Sequence, residues 1–203
     1  MMRPKSRDAG LCGIDEVGRG PLAGPVTAAA VVLPADFDVS ILADSKSLSP
    51  RRREVASELL TESEAAIGLG WVWPAEIDRM NIHHASLLAM VRAFDALVAV
   101  SGTALEATRV VVDGKFAPRL TLPCEPVIGG DHLIAQIMAA SIVAKVRRDR
   151  WMVDYARKDP RYGFDRHKGY PTRDHKDALL AHGPSPIHRM TFRGVVSPDS
   201  ERR

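Results

Sequence analysis

The stretch LCGIDEV-GRGPLAG-PVTAAAVVL, residues 11–33, decides the fold. Its two ends, 11–17 and 25–33, are rich in apolar and β-branched residues, which is typical of buried strands. The middle, 18–24, holds three glycines and a proline and favours a reversal of the chain. The pattern predicts a hairpin of two strands. Asp15 and Glu16 lie inside the first strand, where paired charges have few structural explanations.

Outside this stretch, helical and strand patterns alternate, which predicts an α/β fold with functional residues gathered at one edge of a sheet. Ser49-Pro50 is a favoured start for a helix. The predicted elements are a helix from Ser49-Pro50 to Glu64, a strand at Ala66–Trp73, a helix at His83–Val100, strands at Arg109–Asp113 and Glu125–Ile128, a long helix at His132–Arg157 and a short helix at Thr172–His182.

The length and composition indicate one folded domain. The chain has 203 residues, of which 45% are hydrophobic and 26% charged, enough to bury a core. Its formal net charge is only +3, but the segment Lys145–Lys176 holds eleven Lys or Arg and five Asp. This local excess suits a polyanionic partner, and solvated helix faces are the alternative explanation.

The sequence predicts a cytoplasmic protein without a membrane span. The longest largely apolar run, Val26–Leu33, is far shorter than the roughly 20 residues that a membrane helix needs, and the basic first residues precede no apolar signal core. The two cysteines, Cys12 and Cys124, have no spacing that suggests zinc ligation or a disulfide framework. We expect buried, reduced thiols.

Four acids are candidate metal ligands. Asp15 and Glu16 end one predicted strand, Asp113 ends another, and Asp131 occupies the expected N-cap of the long helix. Clustered buried carboxylates usually hold a cation, and oxygen ligands favour Mg²⁺ or Mn²⁺. Two such ions can activate a water and stabilise a leaving oxygen in phosphodiester hydrolysis. Taken singly, Asp131 is also explained as a helix cap and Asp113-Gly114 as a turn.

Other candidates would contact a nucleic acid. The backbone of Gly18-Arg19-Gly20 can approach a ligand closely, although a plain hairpin turn explains these glycines equally well. Ser45, Lys46 and the basic segment that begins at Lys145 offer donors for phosphate oxygens, with surface charge as the alternative. Tyr170, within HKGYPT, is either a stacking platform or part of a structural turn.

Six segments, in this order, resemble the ribonuclease HII family: GIDEVGRGPLAGPV, DSKSLS, VVVDGK, AASIVAKVRRDRWM, YGFDRHKGYPT and HGPSPIHRMTF. The match runs from about Leu11 to Phe192. The resemblance implies a ribonuclease H-like mixed sheet flanked by helices, with a small C-terminal helical region. It also implies a single domain over 1–203, with a catalytic core at about 11–157, a helical and turn region at about 158–192 and a tail at 193–203.

The resemblance also implies roles for the candidate residues. Asp15, Glu16, Asp113 and Asp131 resemble the four metal-binding acids, which would hold Mn²⁺ or Mg²⁺. Gly18-Arg19-Gly20 resembles the loop whose backbone senses a ribose 2′-hydroxyl, and Tyr170 resembles the tyrosine that stacks on the following deoxyribose. The implied activity is cleavage of the RNA strand of RNA–DNA hybrids and incision 5′ of single ribonucleotides in duplex DNA, leaving 3′-hydroxyl and 5′-phosphate ends.

Two features depart from the family pattern, since Lys115 and His132 lie beside metal-binding acids where Asn and a small polar residue are common. The metal preference could therefore differ from that of the family. Ribonuclease HIII is disfavoured because it typically lacks the Gly-Arg-Gly form of the loop. We expect a monomer, and the polar tail has no aromatic motif to support docking onto a replication clamp.

Two competing functions fit parts of the sequence. A non-catalytic protein that binds hybrids would have no reason to place four acids beside a polyanion, because their charge would repel phosphate. A carboxylate–metal phosphatase for small phosphate esters would leave the glycine loop, Tyr170 and the basic segment unexplained.

Overall fold

A five-stranded mixed sheet lies at the centre of the computed structural model, which describes residues 10–42, 49–101 and 107–195. The strands are β1 (Leu11–Val17), β2 (Val26–Val32), β3 (Ala66–Val72), β4 (Arg109–Asp113) and β5 (Cys124–Val127), in the order β3-β2-β1-β4-β5. β2 pairs antiparallel with β1 and β3, whereas β4 pairs parallel with β1 and β5. The predicted hairpin and mixed α/β sheet are confirmed.

The helices cover both faces of this sheet. They are α1 (Pro50–Glu62), α2 (Pro74–Ser101), α3 (Gly130–Leu133), α4 (Ala135–Lys158), α5 (Phe164–His167) and α6 (Arg173–His182), with 3-10 turns at Val39–Leu42 and Pro160–Tyr162. The predicted start of α1 is confirmed: the Ser49 side chain accepts a hydrogen bond from the backbone N–H of Arg52, and Pro50 opens the helix.

Alternate residues of β1 face different helices. Cys12 and Ile14 point into the apolar cluster that contains the buried side of α2, including Phe94. Gly13 faces α4 instead, so closely that a Cβ there would lie 2.3 Å from the backbone carbon of Gln136. This contact brings the backbones of β1 and α4 together two residues before Asp15.

The predicted helix at His83–Val100 forms only the second part of α2. The helix begins at Pro74, and Asn81 interrupts it with φ 67°. The Asn81 carboxamide oxygen accepts hydrogen bonds from the backbone N–H groups of His83 and His84. Asn81 thus caps the second part, which explains why a helical pattern starts at that point.

The predicted single helix at His132–Arg157 is wrong in its first turn, and Asp131 is not an N-cap. Gly129 occupies the N-cap of α3 with a left-handed φ of 70°, which glycine adopts without strain. Ile134 then takes an extended conformation and separates α3 from α4. Asp131 therefore lies within the short α3 and not at the start of the long helix.

The region after α4 packs on the end of that helix through its own apolar cluster. Met152 of α4 contacts a group that includes Tyr162, Phe164 and Leu179. The Thr172 side chain caps α6 by accepting a hydrogen bond from His175, so the predicted short helix is confirmed. The division of the chain into core, C-terminal region and tail stays a prediction, and the tail beyond Val195 lies outside the described residues.

By length and composition alone, helix α2 is long and apolar enough to cross a membrane. Its side chains at Ile77, Ala89, Phe94 and Leu97 are nevertheless buried in the core cluster against the sheet. The core helix of a globular protein meets both descriptions, so α2 gives only weak support for a membrane location.

We predict that Gly68→Ala destabilises the protein by roughly 1–3 kcal/mol, the usual cost of overpacking. A Cβ at Gly68 would lie 2.1 Å from the backbone oxygen of Ala93, because β3 packs directly on the backbone of α2. Urea denaturation should show a lower midpoint at an unchanged slope. Ala99→Leu, at an exposed position of α2, is the control and should leave the midpoint nearly unchanged. An unshifted midpoint for Gly68→Ala would contradict this packing.

Candidate active site

Three elements bring the predicted acids to one edge of the sheet. Asp15 and Glu16 lie in the last three residues of β1, and Asp113 ends β4. β1 and β4 are parallel, with Ile14 opposite Val112, so their acids leave the sheet side by side. Asp131 follows β5 in α3, and its backbone N–H donates to an Asp113 carboxylate oxygen at 3.4 Å.

The four acids line one pocket of about 380 Å³, hereafter the acid pocket. Two other predicted residues, Lys145 and Tyr170, line it as well. Sequence reasoning missed the contributions of α1 and of the first half of α4. The additional lining residues are Arg53, Ser141, Ile142 and Val17.

Burial and the nearby charge of Glu16 disfavour the ionised form of Asp15. Its residue is only 7% exposed, and one carboxylate oxygen accepts a hydrogen bond from the backbone N–H of Glu16 at 2.8 Å. Burial, followed by the charge of Glu16, raises the pKa of the Asp15 carboxyl well above its usual value, while a hydrogen bond with Ser141 opposes this. The charged form of Asp15 therefore lacks sufficient compensation from the protein alone.

Glu16 is partly compensated by Arg19. The Arg19 guanidinium lies 3.1 Å from a Glu16 carboxylate oxygen. Burial raises the pKa of Glu16, and the nearby Arg19 lowers it in opposition. Arg19 is thus held towards the acid pocket by its charge, although its side chain remains half exposed.

The acid pocket suits a divalent cation in its chemistry. Its carboxylate oxygens are the ligands that Mg²⁺ and Mn²⁺ prefer, and a cation would relieve the repulsion between Asp15, Glu16 and Asp113. Within the described parts of the chain, no three Asp, Glu, His or Cys side chains already surround one point. The acids are therefore a lining of suitable donors, and side-chain rotation must complete any coordination shell.

Two buried arginines hold the predicted glycine loop in place. Arg189 donates through its guanidinium to the carbonyl oxygens of Gly18, Arg19 and Gly24. Arg148 donates to those of Ala23, Pro25 and Lys168. Both residues are fully buried, and burial lowers the pKa of Arg189 to about 9, so it remains charged at neutral pH.

This role corrects the interpretation of the basic segment that begins at Lys145. Because Arg148 is buried and bonded to backbone carbonyls, it is not a donor for phosphate. The position of Arg148 against the loop also explains why residue 18 is a glycine. Gly18 has φ 91°, and a Cβ there would lie 2.2 Å from the Arg148 Nε. No sequence signal distinguished Arg148 and Arg189 from surface charges, except their presence in the quoted motifs.

Tyr170 lies between the glycine loop and the acid pocket. A Cβ built on Gly20 would be 3.8 Å from the Tyr170 ring, and the Lys145 ammonium lies 5.8 Å from the centre of that ring. Lys145 also forms an ion pair with Asp149 at 2.9 Å. Tyr170 is 39% exposed, so part of this residue remains accessible to a ligand.

A basic groove extends from the acid pocket between α1 and α4 and shares Arg53 and Lys145 with it. The groove also contains acids, among them Asp149, but basic side chains predominate. Its basic lining residues are Arg53, Lys145, Arg150, Arg157 and Lys168. Such a surface suits a phosphate backbone.

Not every predicted residue can be placed. Ser45 and Lys46 lie outside the described residues. The two departures from the family pattern are both described: Lys115 is exposed, and the His132 Nε2 lies 3.8 Å from an Asp131 carboxylate oxygen.

Comparison with known proteins decides the family. The family model described as Ribonuclease HII matches residues 12–195. The chain belongs to the ribonuclease HII family. Ribonuclease HII of Dechloromonas aromatica is 50% identical over 186 residues, covering 92% of each chain. That of Paramagnetospirillum magneticum is 50% identical over 190 residues, covering 92% of this chain and 91% of the relative.

Solved structures agree with the ribonuclease HII fold. Ribonuclease H2 from Pyrococcus horikoshii matches with a TM-score of 0.70 and 25% identity, covering 91% of this chain and 94% of the other. The ribonuclease HII solved with PCNA from Archaeoglobus fulgidus matches with a TM-score of 0.69 and 23% identity, covering 90% and 95%. Bst-RNase HIII, solved with Mn²⁺, has a TM-score of 0.71 and 16% identity, covering 91% and 67%.

Membership of the ribonuclease HII family confirms the predicted enzyme class. The protein is an endoribonuclease of the ribonuclease H type, whose family cleaves RNA in RNA–DNA hybrids and depends on divalent metal. The predicted ribonuclease H-like fold is confirmed as well.

We predict that Mn²⁺ or Mg²⁺ stabilises the wild-type protein and not Asp15→Asn. At a concentration 100-fold above Kd, a ligand of the folded state adds about 2.7 kcal/mol. With roughly 2–4 °C per kcal/mol for a chain of this size, the melting temperature should rise by roughly 5–11 °C. In EDTA, Asp15→Asn should melt above the wild type, because a buried, repelled carboxylate is gone.

Thermal melts with and without metal check this prediction. Asp95→Asn, which removes an exposed carboxylate on α2, is the matched control and should keep the full gain. Equal gains in Asp15→Asn and the wild type would show that the cation binds elsewhere.

Proposed function

We propose that this member of the ribonuclease HII family incises duplex DNA on the 5′ side of a single embedded ribonucleotide, as well as cleaving the RNA strand of hybrids. The products would carry 3′-hydroxyl and 5′-phosphate ends. The expected biological role is removal of ribonucleotides from DNA in excision repair.

One observation carries this proposal: the acid pocket, the glycine loop and Tyr170 lie side by side. Gly20 and Tyr170 are neighbours, and Tyr170 shares the acid pocket with Asp15, Glu16, Asp113 and Asp131. A ribose could therefore contact the loop backbone while its phosphodiester lies among the acids. The next sugar would then contact the exposed part of Tyr170.

The acids would hold the metal, and the surrounding residues would orient the substrate. Two divalent cations bound by the four acids would supply water activation and stabilisation of the leaving oxygen. Ser141 keeps Asp15 oriented, and Arg19 keeps Glu16 at the pocket wall. The basic groove, through Arg53 and Lys145, would attract the phosphate backbone on one side of the cleavage site.

Recognition of a single ribonucleotide would require one contact that selects a 2′-hydroxyl and a second contact that selects a following sugar without it. The backbone of Gly18-Arg19-Gly20 would hydrogen-bond the 2′-hydroxyl, the one group that distinguishes RNA from DNA at that nucleotide. Tyr170 would pack against the following sugar and favour one without a hydroxyl. Because Arg189 and Arg148 fix the loop carbonyls, the loop would keep its shape without substrate.

The protein would act as a cytoplasmic monomer. Cys12 and Cys124 are free thiols, in keeping with a reducing compartment, and burial raises the pKa of Cys12 to about 12. Mn²⁺ and Mg²⁺ are both proposed cofactors, and a replication clamp is a partner to be tested by co-purification.

We predict a metal-dependent nick 5′ of one ribonucleotide in an end-labelled DNA duplex. An all-DNA duplex should stay intact, because it offers no 2′-hydroxyl to the loop. Asp15→Asn should reduce the rate at least about 100-fold, whereas Asp95→Asn, at an exposed site on α2, should cut like the wild type. Binding without any nick would favour a non-catalytic hybrid-binding protein, and hydrolysis of a chromogenic phosphate ester alone would favour a small-substrate phosphatase.

We predict that Tyr170→Ala weakens incision at a single ribonucleotide more than cleavage of a long hybrid. The loss of the contact between the ring and the following sugar should cost about tenfold in relative kcat/KM, which corresponds to about 1.4 kcal/mol. Tyr170→Phe, which keeps the ring, should retain most of the preference. Equal losses on both substrates for Tyr170→Ala would contradict this role.

A further inference from the structure

Three buried histidines surround the backbone that carries Tyr170. His167 lies before it in α5, His175 lies after it in α6, and His188 packs against His175 from the following loop. His175 and His188 are 0% and 2% exposed. The rings of His167 and His175 stack with centres 4.6 Å apart. None of these side chains lines the acid pocket.

The hydrogen bonds determine where each proton lies. The backbone N–H of Ser185 donates to the His188 Nδ1 at 2.8 Å, so in the neutral ring the proton is on Nε2. That Nε2 lies 2.9 Å from the Nε2 of His175, which must therefore accept. The His175 proton is then on Nδ1, where it donates to the Tyr170 carbonyl oxygen at 2.9 Å.

Burial favours the neutral form of all three rings, which this chain of donors requires. Burial lowers the pKa of all three imidazoles, that of His188 to about 4. Ring contacts with Phe164 and Tyr162 complete the apolar surroundings of His188. The direction of donation therefore runs from Ser185 through His188 and His175 to the backbone of Tyr170.

The same backbone is linked to the glycine loop. The Gly169 carbonyl accepts a hydrogen bond from the Leu22 N–H at 2.8 Å, and the Gly169 N–H donates to the His167 Nδ1 at 3.2 Å. Tyr170 is thus fixed on one side by the loop and on the other by His175. A small rotation of its peptide groups would move the ring relative to Gly20.

We propose that His175, held in its Nδ1–H form by His188, is a positioning residue for Tyr170 and thereby sets the preference for a ribonucleotide followed by a deoxyribonucleotide. This inference rests on the proposed role of Tyr170. His175 does not touch the substrate, and it acts through the Tyr170 carbonyl. The backbone N–H of Thr172 also donates to the Tyr170 carbonyl oxygen, at 2.8 Å. Every variant described below keeps this second donor.

Substitution by asparagine or by glutamine tests the two nitrogens of each imidazole ring separately. The Asn amide occupies roughly the place of Nδ1, and the Gln amide that of Nε2. At position 175, His175→Asn keeps a donor for the Tyr170 carbonyl and His175→Gln removes it. At position 188 the order is reversed, because His188→Gln keeps the contact with His175 and His188→Asn removes it.

The measurement is the ratio of kcat/KM for a single-ribonucleotide duplex to that for a long hybrid, at pH 7.5. We expect His175→Asn and His188→Gln to stay within about twofold of the wild-type ratio. His175→Gln and His188→Asn should lower the ratio about tenfold, which corresponds to about 1.4 kcal/mol. His182→Asn and His182→Gln, at an exposed position of α6, are controls with the wild-type ratio.

This crossed pattern distinguishes positioning from simple support of the fold. A purely structural role would lower stability and both activities together without changing the ratio, and that result would overturn the proposal. If the variants at one position do not fold, the pair at the other position decides. If Tyr170→Ala leaves the ratio unchanged, the proposed role of Tyr170 fails; if it lowers the ratio and the crossed pattern is absent, only the role of His175 fails.

Discussion

The hydrogen bonds from two buried guanidinium groups to six carbonyl oxygens are the constraint on which the site depends. The chain must reverse between β1 and β2, and the loop that does so turns its carbonyls inward. Buried carbonyls without donors would each cost about 1–3 kcal/mol. Arg148 and Arg189 satisfy them, and the loop in turn accounts for the otherwise costly burial of both charges. Tyr170 and the region after α4 are placed against the surface that results.

Close backbone packing positions the acids on the other side of β1. Gly13 allows α4 to approach the strand, and this approach brings Ser141 within hydrogen-bonding reach of Asp15. The fold thereby concentrates carboxylates that repel one another and are poorly hydrated. Such an arrangement lowers the stability of the protein alone and is retained where a cation offsets it.

Much of this could be predicted from sequence, because local patterns specify strands and caps. The hairpin, Ser49 and the strand ending at Asp113 are examples. The break at Ile134 was missed because Gly129 and tertiary packing, and not helix propensity, end the short α3. Arg189 and Arg148 were missed because charge alone does not reveal burial. The hydrogen-bonded histidines were missed because sequence spacing does not reveal which side chains meet. His175 lies in α6, but its ring bonds to Tyr170, 5 positions before it, and to His188, 13 positions after it, both outside that helix.

The hydrogen bonds from Arg189 to the glycine loop also bear on the order in which parts of the fold form during synthesis. Gly18 precedes Arg189 by 171 residues, so the contact has a very large sequence separation. Arg189 is synthesised after the whole glycine loop, and contacts of such large sequence separation are slow to form. The sheet and α4 can assemble while the glycine loop still lacks its second arginine. A nascent chain could thus hold its acids in place before Arg189 fixes the loop that faces Tyr170.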